Sequence, residues 1–378
     1  MKKMLCLLLC LGLFLSGCTA RDLEEQLLVI ILGVDRTETD AIRISVKVPS
    51  NSGGGGQQSS QGGEQMGYLL LEATGKNFTD AVNLLQATTP RTLNFSQTRE
   101  VIISRQAASD SAFSALLYSI YSLPRMRAQA ALIICRDAAW DFVKEQKPYV
   151  GSRLSRYVET TLQNYAGKGF VPTTTLGEAV RDLGYSFQDA LLIYGAVNDF
   201  SFSQQPEEEN ILNAPAGALP RKSINPIELF GAAATNGISV SGVLTGYEMG
   251  LVHLLRGDAK SLDVQAEGQP AVPIFARAPA TLTADLTADP MVLRVQLQCE
   301  GRYFPGFLPE TGPLIAALEQ SIAQLIRHLQ QLSCDGLGFG LQAARQCATI
   351  QQWEALAFRE KYQNAKIDIN ILLQLREY

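Results

Sequence analysis

Histidine is almost absent from this chain, with two in 378 residues, His253 and His328. General acid-base chemistry on an imidazole must therefore use one of these two, and no G-x-S-x-G serine elbow accompanies either. His328 stands beside Arg327, off the apolar stripe of its predicted helix, and is expected as a surface histidine. His253 lies between Val252 and Leu254 in a short predicted helix. The metal motifs are missing as well: there is no H-E-x-x-H, no calcium loop and no Cys/His cluster at ligand spacing. None of the seven cysteines forms a C-x-x-C pair, which excludes zinc-ribbon and thioredoxin-type sites. Beyond residue 18 the cysteines are Cys135, Cys299, Cys334 and Cys347. Cys334 and Cys347 are close enough in sequence to bridge in an oxidising setting, with buried free thiols as the alternative. Charged residues are sparse at 18%, and their balance is acidic, a net −5, which disfavours nucleic acid and anionic lipid as electrostatic partners. No cofactor or metal is expected, and no pair of carboxylates is marked out, so an enzyme is the least supported class.

What the chain does have begins at its start. Lys2 and Lys3 precede an apolar run from Met4 to Leu15, too short to span a bilayer but of the length of a signal-peptide core. The run closes on Leu15-Ser16-Gly17-Cys18, small residues followed at once by a cysteine. This is similar to the lipobox of bacterial lipoproteins. The resemblance implies cleavage after Gly17, a mature chain beginning at Cys18, and a diacylglycerol on its sulfur. Loss of Lys2 and Lys3 takes the net charge from −5 to −7. Two acyl chains hold a protein firmly to a membrane. The eight residues Thr19 to Gln26 then keep the body within ~28 Å of its anchor.

Beyond the tether the pattern is mixed. Leu27 to Val34 predicts one buried strand, and Ile42, Ile44, Val46 and Val48 alternate with Arg43, Ser45 and Lys47 as a half-buried strand. Asn51 to Gly67 is Gly, Ser and Gln and predicts a mobile loop; it lacks the Gly-Lys-Ser/Thr of a phosphate loop. Strands follow at Tyr68–Ala73, Glu100–Ser104 and Gln129–Cys135. Helices are predicted after a cap at Asn77 or Thr79, over Ser109–Tyr121, Asp137–Glu145, Ser152–Ala166 and Thr175–Leu183. The stretch 204–226, with four prolines and Glu207-Glu208-Glu209, is expected as a domain linker.

The last third alternates more cleanly. Phe230–Ala234 and Ile238–Leu244 predict a hairpin about Asn236-Gly237, followed by a helix over Gly246–Leu255. Ala280 to Leu286 and Leu293 to Cys299 predict an antiparallel pair with one solvated face. Thr311 and Pro313 open a long helix with Leu314, Leu318, Ile322, Leu325 and Leu329 on one stripe. Ile367 to Leu375 alternates as a terminal strand that needs a sheet to join. The fold class expected is α+β and multi-domain, with mixed or antiparallel sheets each packed against helices. The divisions are 1–17 signal, 18–26 lipidated tether, 27–203 an N-terminal α/β region with a break near 150, 204–226 linker, and 227–378 a C-terminal α+β domain.

With these pieces in place the chain resembles the C-subunit lipoproteins of bacterial spore germinant receptors, the Ger(x)C family. The lipobox is followed by Arg21-Asp22-Leu23 and a strand ending Gly33-Val34-Asp35. Thr74-Gly75-Lys76 with its helix, the strand from Arg99 to Ser104, and Phe230-Gly231 also match that family's pattern. The ending is the most specific part: Asp335-Gly336-Leu337-Gly338-Phe339-Gly340, then Trp353, then the terminal strand. Thr19 departs from the Trp usual after the lipidated cysteine, and the Gly/Gln-rich stretch is longer than usual. Asp335 can cap a helix here, the glycines permit tight turns, and Trp353 is expected as a core anchor. The resemblance implies a non-catalytic receptor subunit, anchored on the extracytoplasmic side of the spore inner membrane. Its implied partners are a membrane-associated A subunit and a polytopic B subunit, with no direct small-molecule ligand assigned. A lipid-anchored solute-binding protein is the alternative.

Overall fold

The structure is a computed structural model that describes residues 25–49, 68–148, 153–184, 187–201, 211–258, 261–306 and 308–378. The expectations for Leu15, Ser16, Gly17 and Cys18, for the Gly/Gln-rich stretch 51–67 and for the Glu207 to Glu209 triplet lie outside these residues. In chain order the first region holds β1 (Gln26–Leu28), β2 (Ile31–Arg36), β3 (Ile42–Pro49), β4 (Tyr68–Gly75), α1 (Phe78–Thr88), β5 (Thr92–Asn94) and β6 (Glu100–Ser104). It continues with α2 (Arg105–Ala108), α3 (Phe113–Tyr121), β7 (Ala131–Cys135), α4 (Ala139–Glu145), α5 (Leu154–Ala166), α6 (Leu176–Gly184) and β8 (Leu191–Val197). Then come β9 (Ile227–Thr235), β10 (Val240–Leu244), α7 (Gly246–Arg256), β11 (Leu262–Val264), β12 (Val272–Ala276), β13 (Thr281–Asp285) and β14 (Val292–Tyr303). The chain closes with α8 (Thr311–Gln331), α9 (Phe339–Ala344), α10 (Ile350–Leu356), α11 (Phe358–Gln363) and β15 (Lys366–Glu377).

Eight strands form the larger sheet, in the order β10-β9-β8-β7-β6-β2-β3-β4. The central four, β8, β7, β6 and β2, run parallel, and antiparallel strands flank them on both sides. Parallel strands need helical crossovers, which cover both faces. Phe78, Phe113, Leu117, Leu176 and Ala179 bury one face, and Phe142, Val143, Leu154 and Val158 the other. Two-sided cover explains one departure from the alternating pattern. Lys47, expected on a solvated face of β3, is fully buried beneath α4, where its Nζ donates to Val143 O and Gln146 O at 2.6 Å each. These are carbonyls at the C-terminus of a helix, a favourable place for a cation. The expected single strand over Leu27–Val34 is also divided. Val29 and Ile30 break it, so that β1 pairs with β5 and β2 enters the large sheet.

The hairpin about Asn236-Gly237 forms as predicted, with the Asn236 carboxamide oxygen accepting from Ile238 N and Ser239 N. Its strands, however, belong to the larger sheet rather than to the C-terminal domain. β9 is buried at every position and lies between β8 and β10. The described part of the proline-rich stretch 204–226 is accordingly a loop between neighbouring strands of one sheet, not a linker between sheets. Glu228 fastens it, accepting from Arg221 Nε at 2.7 Å and from Gly217 N at 2.6 Å.

The second sheet has β11-β12-β14-β13 with β15 along the other edge of β14. β15 pairs in parallel over twelve residues, Val292↔Lys366 through Tyr303↔Glu377, and gives the terminal strand the sheet it needs. β13 and β14 are antiparallel, as their alternation predicts. Leu293, Val295 and Leu297 face Leu314, Leu318, Ile322 and Leu325 of α8, while Gln296 and Gln298 face water. The core beneath α8 continues into Leu191, Ala232 and Leu244 of the first sheet, so the two sheets share apolar contacts at their junction. Among the described residues no helix is long and apolar enough to cross a membrane.

Candidate functional site at the junction of the two sheets

The Asp-Gly-Leu-Gly-Phe-Gly segment sits where the two sheets meet. Asp335 is buried and acts as a cap for the short helix α9: its Oδ1 accepts from Gly338 N at 3.1 Å and Phe339 N at 2.9 Å, and its Oδ2 from Gly340 N at 2.5 Å. Gly338 is in the left-handed region with φ +86°. At Gly340 a Cβ would stand 2.5 Å from the Phe187 carbonyl oxygen, so the backbone of the first region closes onto this turn. Burial pushes the Asp335 carboxyl up to about 7, against the pull of three backbone N–H groups.

The same turn is tied to the first sheet by Asp189, just ahead of β8. Asp335 N donates to Asp189 Oδ2 at 2.8 Å, and Asp189 N donates back to Asp335 O at 3.2 Å. Arg359 closes the arrangement with both terminal nitrogens on the Asp189 carboxylate and a further bond from Nη1 to Ser333 O at 3.1 Å. Burial raises the Asp189 carboxyl, and Arg359 opposes that rise. Trp353 serves as the expected anchor in a run of rings that spans the junction. It lies 5.1 Å from Phe187 and 5.5 Å from Phe358, and Phe358 lies 5.7 Å from Tyr362. Tyr362 then donates its hydroxyl to Cys334 O at 3.0 Å. Asp335 and Trp353 are legible in the sequence; Asp189 and Arg359 are not, because a lone acid and an arginine beside Glu360 and Lys361 resemble ordinary surface charge.

Beside the junction, α7, α8 and β11 enclose a cleft of about 1100 Å³ lined by Thr245, Glu248, Asp263, Glu267, Ser321 and His328. His328 is here and not out on the surface: it is half-buried, with Nδ1 2.6 Å from Glu248 Oε1. Glu248 is held by a capping box, its other oxygen accepting from Thr245 N at 2.8 Å while Thr245 Oγ1 accepts from Glu248 N. The hydrogen bond to Glu248 raises the His328 pKa. The second histidine is a structural tie: His253 is buried, with Nδ1 2.9 Å from Asp258 and Nε2 3.0 Å from Val171 O in the first region.

The described thiols are all unbridged. Cys135, Cys299 and Cys334 are buried, and Cys347 is half-buried and not joined to Cys334. Burial pushes the Cys299 thiol up to about 11 and Cys135 and Cys334 well above the ordinary value, which removes their nucleophilicity. No group of three or more His, Cys, Asp or Glu among the described residues could hold a metal ion. The cleft presents the His328–Glu248 pair and polar side chains that can accept polar groups; the junction fixes one sheet against the other.

Comparison with known proteins gives three results. Residues 19–197 match the family described as spore germination protein N-terminal domain, and residues 231–378 match the family described as spore germination B3/GerAC-like, C-terminal. A Bacillus subtilis (strain 168) chain named as a spore germination protein, YfkR, is 30% identical over 146 residues; the aligned stretch covers 38% of this chain and only 37% of that protein. The crystal structure of the GerBC protein superposes with a TM-score of 0.52 at 11% identity, covering 91% of this chain and 96% of that one, a likeness of fold.

Proposed function

This chain belongs to the spore germination B3/GerAC-like family, and from that premise we propose that it is a non-catalytic, lipid-anchored subunit of a spore germinant receptor complex. The observation that carries the reading is an adjacency in sequence: the family match begins at residue 19, directly after the lipobox cysteine Cys18. In this reading residues 1–17 are a leader removed on export, Cys18 carries a diacylglycerol, and the short tether to Gln26 holds the body against the extracytoplasmic face of the spore inner membrane. The partners are the A and B membrane subunits of the receptor. Confinement to a surface raises their effective concentration, so weak individual contacts suffice for assembly.

The chemistry of the body supports a structural role over a catalytic one. Its buried thiols are poor nucleophiles, His253 is occupied by Asp258 and Val171, and the acid at the junction caps a helix. The test is in-situ crosslinking in spore inner membranes from surface positions in both halves, followed by identification of the attached chains. Recovery of polytopic receptor subunits is the expected result. Crosslinks to soluble proteins alone would overturn the assignment.

A further inference from the structure

Arg99 leads into β6 and is fixed by its backbone: its carbonyl accepts from Ala131 N at 2.8 Å, and its own N–H donates to Ile30 O at 2.8 Å. Its side chain is mostly buried and incompletely paired. Nε has no hydrogen-bond partner among the described residues, and Nη1 stands 3.9 Å from Glu159 Oε1, at the outer limit of an ion pair. Arg127, on the approach to β7, has no ion pair among the described residues. Arg99 and Arg127 line one pocket of about 240 Å³, together with Glu159 and the apolar residues Leu162, Ala166, Val171 and Ile193.

Two arginines against one glutamate leave this pocket with a single net positive charge. The planar fork of a guanidinium matches a carboxylate, and two arginines against one acid favour an anion over a neutral group. Leu162, Ala166, Val171 and Ile193 supply apolar lining that suits hydrocarbon, beside the uncharged Gln129, Gln163, Thr173 and Thr175. We propose that this pocket binds a small monocarboxylate with an apolar tail, the carboxylate on Arg99 and Arg127 and the tail against Leu162, Ala166, Val171 and Ile193. A phosphate dianion exceeds the charge available and leaves the apolar wall uncovered. The proposal is independent of the family assignment and of the anchor.

The test is ligand-observed NMR on the full-length protein in lipid nanodiscs, with empty nanodiscs subtracted, using benzoate and its neutral counterpart benzyl alcohol. Benzoate is expected to bind and benzyl alcohol to bind about tenfold more weakly or less. Arg127→Gln is expected to weaken benzoate about tenfold or more, leaving benzyl alcohol unchanged. Glu159→Gln, which removes the competing anion, is expected to tighten benzoate. Ala166→Phe adds bulk to the pocket lining and is expected to abolish binding, with a thermal melt confirming the fold. Equal binding of the two probes, benzoate affinity unchanged by Arg127→Gln, or benzoate binding that survives Ala166→Phe would each overturn the proposal.

Discussion

Arg359 donates both terminal nitrogens to the carboxylate of Asp189, Nη2 to Oδ1 at 2.5 Å and Nη1 to Oδ2 at 3.2 Å, across 170 positions of sequence. Asp189 is 2% exposed at its side chain and Arg359 42%. Removing the arginine leaves a buried carboxylate with one remaining donor. Arg359→Ala is therefore expected to cost about 2 kcal/mol, less than a fully buried pair because Arg359 is partly hydrated. Chemical denaturation measures this, and a change within about 0.5 kcal/mol would show that the bridge does not hold the sheets together.

The glycine-rich turn should be sensitive at both of its critical points. Asp335→Asn replaces an oxygen that accepts from backbone N–H with a donor, and is expected to cost about 1–3 kcal/mol. Gly340→Ala drives a methyl into the Phe187 carbonyl and is expected to cost about as much. Denaturation midpoints of the two variants check both figures. A neutral Gly340→Ala would mean the first region can move away from the turn.

Glu100 introduces a pH dependence of known sign. It is wholly buried, accepts from Gln146 Nε2 at 2.8 Å, and its pKa is raised from 4.5 to about 7 by burial. Between these values the folded state keeps a proton that the unfolded state releases, so this contribution to stability is full below about pH 4.5 and lost as pH rises through about 7. Glu100→Gln should flatten that slope between about pH 4.5 and 7. Urea denaturation from pH 4 to 8 compares the two proteins, and parallel curves would contradict the assignment.

His328 should titrate above the ordinary histidine value because Glu248 holds its protonated form. Its stabilising contribution is complete below the unfolded pKa and lost as pH rises through the folded one. With only two histidines in the chain, NMR can follow His328 directly, and Glu248→Gln should bring its pKa down. An unchanged titration would show that the 2.6 Å contact does not govern the ring.

What could be read in advance was local. Asn77 caps α1 through Asp80 N, the apolar stripe of α8 faces the sheet, and β13, β14 and β15 lie where their alternation puts them. The misses arise where tertiary structure overrides pattern. Leu191–Val197 is a short continuous apolar run with no period to separate strand from helix, and it becomes a central strand. The helix expected over Ser109–Tyr121 begins only at Phe113, as α3, after a turn in which Asp110 Oδ1 accepts from Ala112 N, and the short α2 ahead of it is not predicted. Prolines near residue 215 mark a long loop within one sheet, because composition locates irregular backbone without saying which strands it joins. The Asp189–Arg359 bridge has no local signature at all.

The proposed attachment through Cys18 is tested most directly by the germination response of spores carrying Cys18→Ala, read with fractionation of their inner membranes. Loss of the receptor's germinant response, with the chain folded but absent from the membrane fraction, is the predicted result. A normal response from spores whose protein still sediments with the membrane would contradict it.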